Sequence, residues 1–261
     1  MQPVCLITGA SAGIGAALAR VFAENGHAVV ITARAEAELA AIADGIAAAG
    51  LTRPRVIVAD LGQTDGPAHL AEALTAAGLE PSFVVNNAGF GLIGNAADLD
   101  CAEQLAIIDL NIKALTDLSL RWLEPITRHR GGILNVASIA AFFPGPGMAV
   151  YHASKAYVLS FTEAMHEELK SDGVRVCALC PGPVDTDFNK RAGVADDYFP
   201  DFFKRTAERV ARDGYQGFMD GHRVVAPGMP NRIATLLPRL IPRGLMLALV
   251  ARRRKGAPRP S

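Results

Sequence analysis

The sequence is poor in the features that identify specialised classes of protein. Its 261 residues include only four cysteines and 6% aromatic residues, and its 26 basic side chains are balanced by 26 acidic ones. The few cysteines lie within apolar runs, which indicates reduced thiols instead of a disulfide scaffold. The balanced charge gives no basic surface of the kind that binds nucleic acid. We therefore expect small-molecule partners and no nucleic acid.

Long apolar runs are also missing. The most apolar late segment, residues 236–250, spans 15 positions and is interrupted by prolines and arginines. A helix that crosses a bilayer needs about 20 mostly uncharged residues. The first residues show no basic leader followed by a long apolar stretch. We expect a cytoplasmic protein without a membrane span, in which residues 236–250 pack on the site, on a partner subunit or on a membrane surface.

The sequence does contain a regular alternation of short apolar runs and longer alanine-rich stretches, with Gly, Pro, Asp or Asn at each change. This alternation predicts an α/β fold. We expect a single doubly wound Rossmann-type domain whose mostly parallel seven-stranded sheet has helices on both faces. The predicted strands are 4–8, 28–33, 55–59, 83–86, 133–137, 174–179 and 224–226. The predicted helices are 14–25, 35–49, 67–77, 100–122 and 150–170. We assign residues 1–251 to the domain and expect 252–261 to be a disordered basic tail.

A glycine-rich turn separates the first predicted strand from the first predicted helix. It contains Gly9, Ser11, Gly13, Ile14 and Gly15. Glycines at such a turn allow a pyrophosphate to approach the helix N-terminus, where free N–H groups favour an anion. Glycine spacing is a weak signal by itself, and a plain strand-to-helix turn is the alternative.

Arg34 lies 19 residues after the last glycine of this turn, where an adenosine ribose is usually bound. A carboxylate at this place would bind the free 2′-hydroxyl, whereas an arginine suits a 2′-phosphate. The sequence therefore favours NADP(H) over NAD(H), and NAD(H) stays possible. The alternative is a solvated loop arginine, because Ala12 provides no second basic group and Glu36 is close in sequence.

Tyr151 and Lys155 are four residues apart on a predicted helix and so share one face. An ammonium close to a phenol favours the phenolate and lowers the phenol's pKa towards neutral pH. Ser138 ends a predicted strand 13 residues before the tyrosine, and Asn111 is a poor helix former in the middle of a long predicted helix. Without this context, a surface pair on an amphipathic helix would be the better interpretation.

Taken together, these motifs resemble the short-chain dehydrogenase/reductase family, in its soluble branch of about 250 residues. The resemblance covers residue 4 to about residue 190 and implies further cofactor contacts. It places Asp60 and Leu61 at the adenine. It also matches the motif Asn-Asn-Ala-Gly at residues 86–89, where the cofactor-binding positions are Asn87, Ala88 and Gly89.

The resemblance also implies the chemistry. Tyr151 would be the general acid in reduction, Lys155 would lower its pKa, Ser138 would polarise the substrate carbonyl and Asn111 would hold a water of a proton relay. Tyr151 and Lys155 would contact the cofactor as well. The expected nicotinamide-binding positions are Pro181, Gly182, Val184 and Thr186.

The implied protein is an NADP(H)-dependent oxidoreductase that transfers a hydride between nicotinamide and a carbonyl or alcohol carbon, as a carbonyl reductase for an apolar substrate. The alternatives are an NAD(H)-dependent alcohol dehydrogenase and a nucleotide-sensing regulator without turnover. We expect a homodimer or homotetramer. No metal is expected, because the thiols of Cys177 and Cys180 would face opposite sides of a strand.

Residues 187–223 are rich in aromatic side chains and hold seven of the sixteen in the chain. They are Phe188, Tyr198, Phe199, Phe202, Phe203, Tyr215 and Phe218. Members of the family cover the substrate with this region, which predicts an aromatic lid. Packing of these side chains against the domain is the alternative.

Overall fold

The fold was obtained as a computed structural model that describes residues 1–184 and 203–255. Seven strands form one sheet in the order β3-β2-β1-β4-β5-β6-β7, and every neighbouring pair is parallel. The strands are β1 Gln2–Thr8, β2 Val29–Ala33, β3 Arg55–Val58, β4 Leu79–Asn86, β5 Gly132–Val136, β6 Arg175–Leu179 and β7 Val224–Val225. The predicted doubly wound fold is confirmed, with a sheet that is parallel throughout.

Helices connect the strands and continue after the sheet. They are α1 Gly13–Glu24, α2 Glu36–Ala48, α3 Gly66–Ala76, α4 Cys101–Ile108, α5 Leu115–Arg121, α6 Leu123–Arg128, α7 Ala149–Glu168, α8 Ala207–Met219, α9 Met229–Leu240 and α10 Arg243–Lys255. A π-helical turn, Asp109–Ala114, joins α4 to α5, and a 3₁₀ turn, Ile139–Phe142, precedes α7. No helix within the described ranges is both long and apolar enough to cross a membrane.

The sheet is covered on both faces by apolar side chains. On one face, Phe22 of α1, Leu39 of α2 and Phe218 of α8 belong to one fully buried cluster. On the other face, a second cluster contains Leu70 of α3 and Leu118 of α5. Strands that are buried on both faces must be almost continuously apolar, which explains the runs seen in the sequence.

The predicted helix over 100–122 is divided into three parts. Asp100 caps α4 by accepting a hydrogen bond from the backbone N–H of Glu103 at 2.9 Å, as the capping pattern of the sequence predicts. The π-helical turn follows, and α5 ends at Arg121. Pro125 lies in the first turn of α6, where its missing N–H costs no helical hydrogen bond.

The register brings the ends of the central strands together at one edge of the sheet. Thr8 of β1 pairs with Thr32 of β2, and Asn86 of β4 pairs with Asn135 of β5. The strand order reverses between β1 and β4, because β2 and β3 lie on one side and β5 to β7 on the other. Ligands of doubly wound sheets bind at the carboxyl ends of the strands beside such a reversal.

Candidate active site

The glycine-rich turn after β1 has the geometry of an anion site. Gly9 has φ +64°, and a Cβ on Gly15 would lie 2.3 Å from the carbonyl oxygen of Gly9. The N-cap of α1, Ala12, gives no side-chain hydrogen bond, and the first turn of α1 contains no acidic residue. The N–H groups at this helix end are therefore left for a ligand, and the turn fits the pyrophosphate of a dinucleotide.

Asn87 and Thr8 fix the turn to the end of β4. The amide of Asn87 donates to the carbonyl oxygens of Thr8 at 2.9 Å and Gly9 at 3.0 Å. The hydroxyl of Thr8 accepts from the backbone N–H groups of Asn87 and Ala88, each at 3.0 Å. Thr8 was not among the residues predicted from the sequence. A hydroxyl residue that ends a strand directly before a glycine turn was the signal that could have found it.

The predicted adenosine contacts lie at the ends of β2 and β3. Arg34 follows β2, is exposed and has no hydrogen-bond or ion-pair partner among the described residues. Asp60 follows β3 and accepts from the backbone N–H of Gly62 at 3.0 Å, while Leu61 is buried. The guanidinium of Arg34 is thus available to a ligand phosphate.

Tyr151 lies in the first turn of α7 with its ring buried, 9% exposed. Burial raises the pKa of Tyr151 to about 12, and a hydrogen bond between its hydroxyl and that of Ser138 acts in the opposite direction. Ser138 also accepts from the backbone N–H of Ala140 at 3.1 Å, which fixes the rotamer of its side chain. Two hydroxyl groups therefore meet at one point of the crevice.

Lys155 lies one turn after Tyr151 and is also buried. Its Nζ donates to the carbonyl oxygen of Val136 at 2.8 Å and lies 5.8 Å from the centroid of the Tyr151 ring. Burial lowers the pKa of Lys155 to about 8, whereas the neighbouring Cys180 thiol acts to raise it. Burial is thus the largest cause of both pKa shifts here, and the expectation that Lys155 lowers the phenol's pKa stays a prediction.

Asn111 is fully buried in the π-helical turn. Its Oδ1 accepts from the backbone N–H of Phe90 at 3.1 Å, and its Nδ2 donates to the Phe90 carbonyl at 3.0 Å and to Ser154 Oγ at 3.1 Å. A Cβ on Gly89 would lie 2.9 Å from Asn111 Oδ1. Asn111 thus holds the loop after β4 against α7, and π-helical turns are frequent at functional sites.

The segment after β6 completes the crevice. The carbonyl oxygen of Pro181 accepts from the backbone N–H of Ile139 at 3.0 Å, directly after Ser138. A Cβ on Gly182 would lie 2.2 Å from Oδ1 of Asn231, a fully buried side chain of α9 that was not predicted from the sequence. Val184 is buried and pairs with Arg205. Thr186, the last predicted nicotinamide contact, lies outside the described residues.

His152 fixes the loop that follows Ser138. Its Nδ1 lies 2.9 Å from the carbonyl oxygen of Phe143, and a Cβ on Gly145 would lie 2.1 Å from the imidazole ring. Burial lowers the pKa of His152, while hydrogen bonds with the backbone of Phe143 and Ala140 act to raise it. The imidazole therefore connects α7 to both ends of this loop.

A small pocket lined mostly by apolar side chains lies beside Tyr151. Its lining includes Leu92, Leu99, Ile107 and Met148. Gln104 lines the pocket together with Tyr151, and its amide donates to the carbonyl oxygens of Ala96 at 3.0 Å and Leu99 at 3.1 Å. The side chains that line the pocket are therefore mostly apolar.

Two predictions need correction. Tyr215 and Phe218 of the predicted lid pack in the core with Phe22, so the alternative of packing against the domain holds for them. Phe188, Tyr198, Phe199 and Phe202 lie outside the described residues.

The backbone of 252–255 continues helix α10, so this part of the predicted tail is helical, and residues 256–261 are not described. The thiols of Cys177 and Cys180 lie in clusters on opposite faces of the sheet, as expected.

Comparison with known proteins identifies the family. A family model described as short chain dehydrogenase matches residues 3–196. The chain belongs to this family. It is therefore an NAD(P)-dependent oxidoreductase of the short-chain dehydrogenase/reductase type, as the sequence motifs predict.

Three similar proteins illustrate the range of this family. The chain is 37% identical over 193 residues to sulfoacetaldehyde reductase 2 of Chromohalobacter salexigens, a match that covers 72% of this chain and 75% of the relative. A short-chain dehydrogenase from Sphingobium yanoikuyae, solved with NADPH, superposes with a TM-score of 0.79 at 29% identity over 98% of both chains. The bulky-bulky ketone specific alcohol dehydrogenase from Comamonas testosteroni superposes with a TM-score of 0.77 at 26% identity over 99% of this chain and 97% of the other.

Proposed function

We propose that the chain is an NADP(H)-dependent carbonyl reductase for bulky apolar ketones or aldehydes. The observation that carries this proposal is the hydrogen-bonded pair of Tyr151 and Ser138 hydroxyls beside a pocket lined mostly by apolar side chains. The name of the Comamonas testosteroni structure supports bulky ketones as the substrate class. Sulfoacetaldehyde, the substrate in the name of the Chromohalobacter salexigens relative, carries a charged sulfonate that would be poorly solvated in this pocket.

The residues at the carboxyl ends of β1 to β4 fit a dinucleotide. The uncapped N-terminus of α1 and the close approach at Gly15 would hold the pyrophosphate, and Arg34 would hold a 2′-phosphate. Asp60 and Leu61 would lie at the adenine. The ribose would be contacted by Asn87, Ala88 and Gly89. When bound, the cofactor supplies the hydride that a carbonyl carbon accepts.

The hydroxyl groups of Ser138 and Tyr151 would both donate to the substrate oxygen, which polarises the carbonyl before reduction. A phenol with a pKa of about 12 is protonated near neutral pH. Tyr151 therefore holds the proton that the substrate oxygen needs when it becomes a hydroxyl. The phenolate that remains is unfavourable in a buried site, and the nearby Lys155 ammonium is the group that would stabilise it.

Turnover of NADPH with a panel of apolar ketones and aldehydes tests the proposal. We expect Tyr151→Phe to lower kcat by about 10³-fold, the usual contribution of a general acid, with NADPH binding retained. Tyr157→Phe is the matched control on the same helix, because Tyr157 is exposed and its hydroxyl contacts Thr116 at 3.0 Å. NADPH binding without turnover of any carbonyl compound would instead support a nucleotide-sensing regulator.

The cofactor preference has its own test. Replacing Arg34 by Asp removes the positive charge and adds a carboxylate that suits a free 2′-hydroxyl. We expect the ratio of NADPH to NADH efficiency to fall by about 100-fold, since charged hydrogen bonds contribute about 1.5–3 kcal/mol. Arg55→Asp, at the amino end of β3, should leave the ratio unchanged. Equal use of both cofactors by the wild-type protein would contradict the preference for NADP(H).

Three further features stay predictions from the sequence. They are a homodimer or homotetramer, a cytoplasmic location, and an aromatic lid, which is now limited to the part of 187–223 that precedes α8. Limited proteolysis with and without NADPH would test the lid. Unchanged cleavage before Ala207, where α8 begins, would contradict a lid ordered by the cofactor.

A further inference from the structure

The charge of the chain is divided sharply along the sequence. Residues 221–261 contain nine of the 26 basic residues and none of the 26 acidic ones. The preceding 220 residues therefore carry 26 acidic and 17 basic side chains. A chain with no net charge thus ends in a strongly basic segment, and such an asymmetry favours contact with an acidic surface.

The same segment exposes much of the apolar surface of the molecule. Half of the twelve exposed large apolar side chains in the described residues lie within the fifteen residues 233–247. We call these six the C-terminal apolar surface: Ile233, Leu236, Leu237, Leu240, Leu245 and Leu247. Leu240 is 81% exposed. A concentration of this kind marks an interaction site, whereas single exposed leucines are ordinary.

The two helices expose this surface in different ways. The four apolar residues of α9 recur at spacings of three, one and three, which places them along one side of the helix. In α10, residues 245–251 are apolar without interruption, and Arg252, Arg253, Arg254 and Lys255 follow. Two turns that are apolar all round leave no polar face for water.

An apolar run of this length distinguishes between partners. A protein interface, including one with a second copy of the chain, would cover one side of α10 and leave the other side in water. A lipid surface surrounds a helix that enters it. Seven residues rise about 10 Å in a helix, which matches the depth of interfacial insertion and is far less than a bilayer crossing.

We propose that α9 and α10 form a docking surface for anionic lipid bilayers, with the C-terminal apolar surface in the interface and the basic residues on the lipid phosphates. Asn231, fully buried in α9 beside Gly182, anchors this surface to the body of the molecule through hydrogen bonds to Pro227 at 2.8 Å and Phe203 at 3.3 Å. Because α9 also packs against the 3₁₀ turn after Ser138, docking would bring the crevice close to the membrane.

Vesicle binding by the full chain tests the proposal. We expect the protein to bind vesicles of mixed phosphatidylcholine and phosphatidylglycerol and to bind phosphatidylcholine alone at least tenfold more weakly. Raising NaCl from about 0.01 M to about 1 M shortens the Debye length from about 30 Å to about 3 Å and should release most of the bound protein. The salt series needs no variant, so a folding defect cannot imitate it.

Two variants assign the binding to this segment. Replacing Arg252, Arg253 and Arg254 together by Gln should lower the partition coefficient roughly 100-fold, because each arginine near an anionic surface contributes about a factor of five. Leu240→Asp should lower it about tenfold or more. Leu120→Asp is the matched control, because Leu120 is 49% exposed on α5, and it should bind like the wild type.

The outcomes separate the proposal from its alternative and from the catalytic assignment. No binding to anionic vesicles at low salt would overturn it, as would binding that the arginine replacement leaves unchanged. If Leu240→Asp changes the sedimentation mass of the protein while vesicle binding is unaffected, the surface is an interface between copies and the proposal is wrong. NADPH turnover in solution should be the same in Leu240→Asp and Leu120→Asp. If the membrane proposal fails, the proposed reaction is therefore not contradicted.

Discussion

In the crevice, polar side chains bind the backbone of neighbouring loops: Asn87 donates to two carbonyl oxygens, and Asn111 contacts both polar groups of Phe90. In α9 and α10, apolar side chains face outwards and Asn231 is the main polar anchor to the body. The first region can position a ligand because these hydrogen bonds hold its loops in place. The exposed apolar side chains of the second region are available to a partner.

The largest effect is expected at Gly15, a helical glycine in the crevice, when it is compared with a helical glycine that has open space around it. In Gly15→Ala, the new Cβ would lie 2.3 Å from the Gly9 carbonyl oxygen, and backbone would have to move. We expect NADPH affinity to fall by at least about 100-fold with a lower Tm, since a distorted turn misplaces the anion-binding N–H groups.

Gly45→Ala in α2 is the matched control, because nothing lies within 4 Å of its added Cβ. Both changes gain the same helix propensity, and at Gly45 this should stabilise the protein by about 1 kcal/mol. Titration with NADPH and thermal unfolding of both variants check the comparison. Equal NADPH affinity in the two would show that the turn tolerates a side chain.

Burial of Lys155 predicts a pH effect on the stability of the cofactor-free protein. Its pKa is lowered from 10.5 to about 8 in the folded state. Between these values the unfolded chain binds the proton and the folded chain does not, so stability from this group rises with pH. We expect a gain of about 2 kcal/mol from pH 8 to pH 10, relative to Lys155→Met at the same pH.

Urea unfolding at a series of pH values measures this difference. Above pH 10, Tyr151 acts in the opposite sense, because its pKa of about 12 in the folded state exceeds the ordinary value of 10.0. Stability from Tyr151 is therefore lost as the pH rises from 10 towards 12. A wild-type protein whose pH dependence equals that of Lys155→Met between pH 8 and pH 10 would contradict the burial of the ammonium.

The loop after Ser138 should respond to His152. His152→Phe keeps a ring against Gly145 but removes the hydrogen bond to Phe143. We expect a loss of about 1–2 kcal/mol in unfolding free energy and about a tenfold lower kcat, with the KM for NADPH unchanged. His152→Gln retains a donor and should recover part of kcat. A KM effect without a kcat effect would mean that this loop does not position Ser138.

The smallest effect is expected at the C-terminal apolar surface. Leu240→Ser removes an apolar side chain that is already 81% exposed, so the free energy of unfolding in water should change by less than about 0.5 kcal/mol. Denaturant unfolding of the full chain measures it, with Leu120→Ser as the control. A loss above about 2 kcal/mol would show that Leu240 is packed in the folded protein and would remove the contrast between the two regions.

The sequence predicted the parallel sheet well because buried strands and glycine-ended helices leave local signals. It placed the start of β4 at residue 83, whereas the strand begins at Leu79. Glu80, Pro81 and Ser82 do not have a strand-like pattern. Glu80 and Pro81 become strand because they pair with β1, and Ser82 is the extra residue at a shift of the register. Pairing between distant segments overrides local preference, and no local pattern reports it.

The motifs of the site were also predictable, since each lies at a strand end or on one helix face. The pKa of Tyr151 was not predictable from the sequence, because it depends on how completely the ring is buried. Asn231 was missed for a similar reason. It belongs to α9, distant in sequence from Gly182, and only folding brings its amide against that glycine.

The π-helical turn Asp109–Ala114 has a consequence for the evolution of the long helix that contains it. A π turn holds one residue more than an α-helical turn, so it is equivalent to a single-codon insertion in a regular helix. Deleting one residue there would rotate α5 by about 100° relative to α4. Leu118 would then leave the core as Asn111 lost its place beside Phe90. The position of Asn111 and the packing of Leu118 thus both depend on this one extra residue, and a chain that lost it would have to rebuild both.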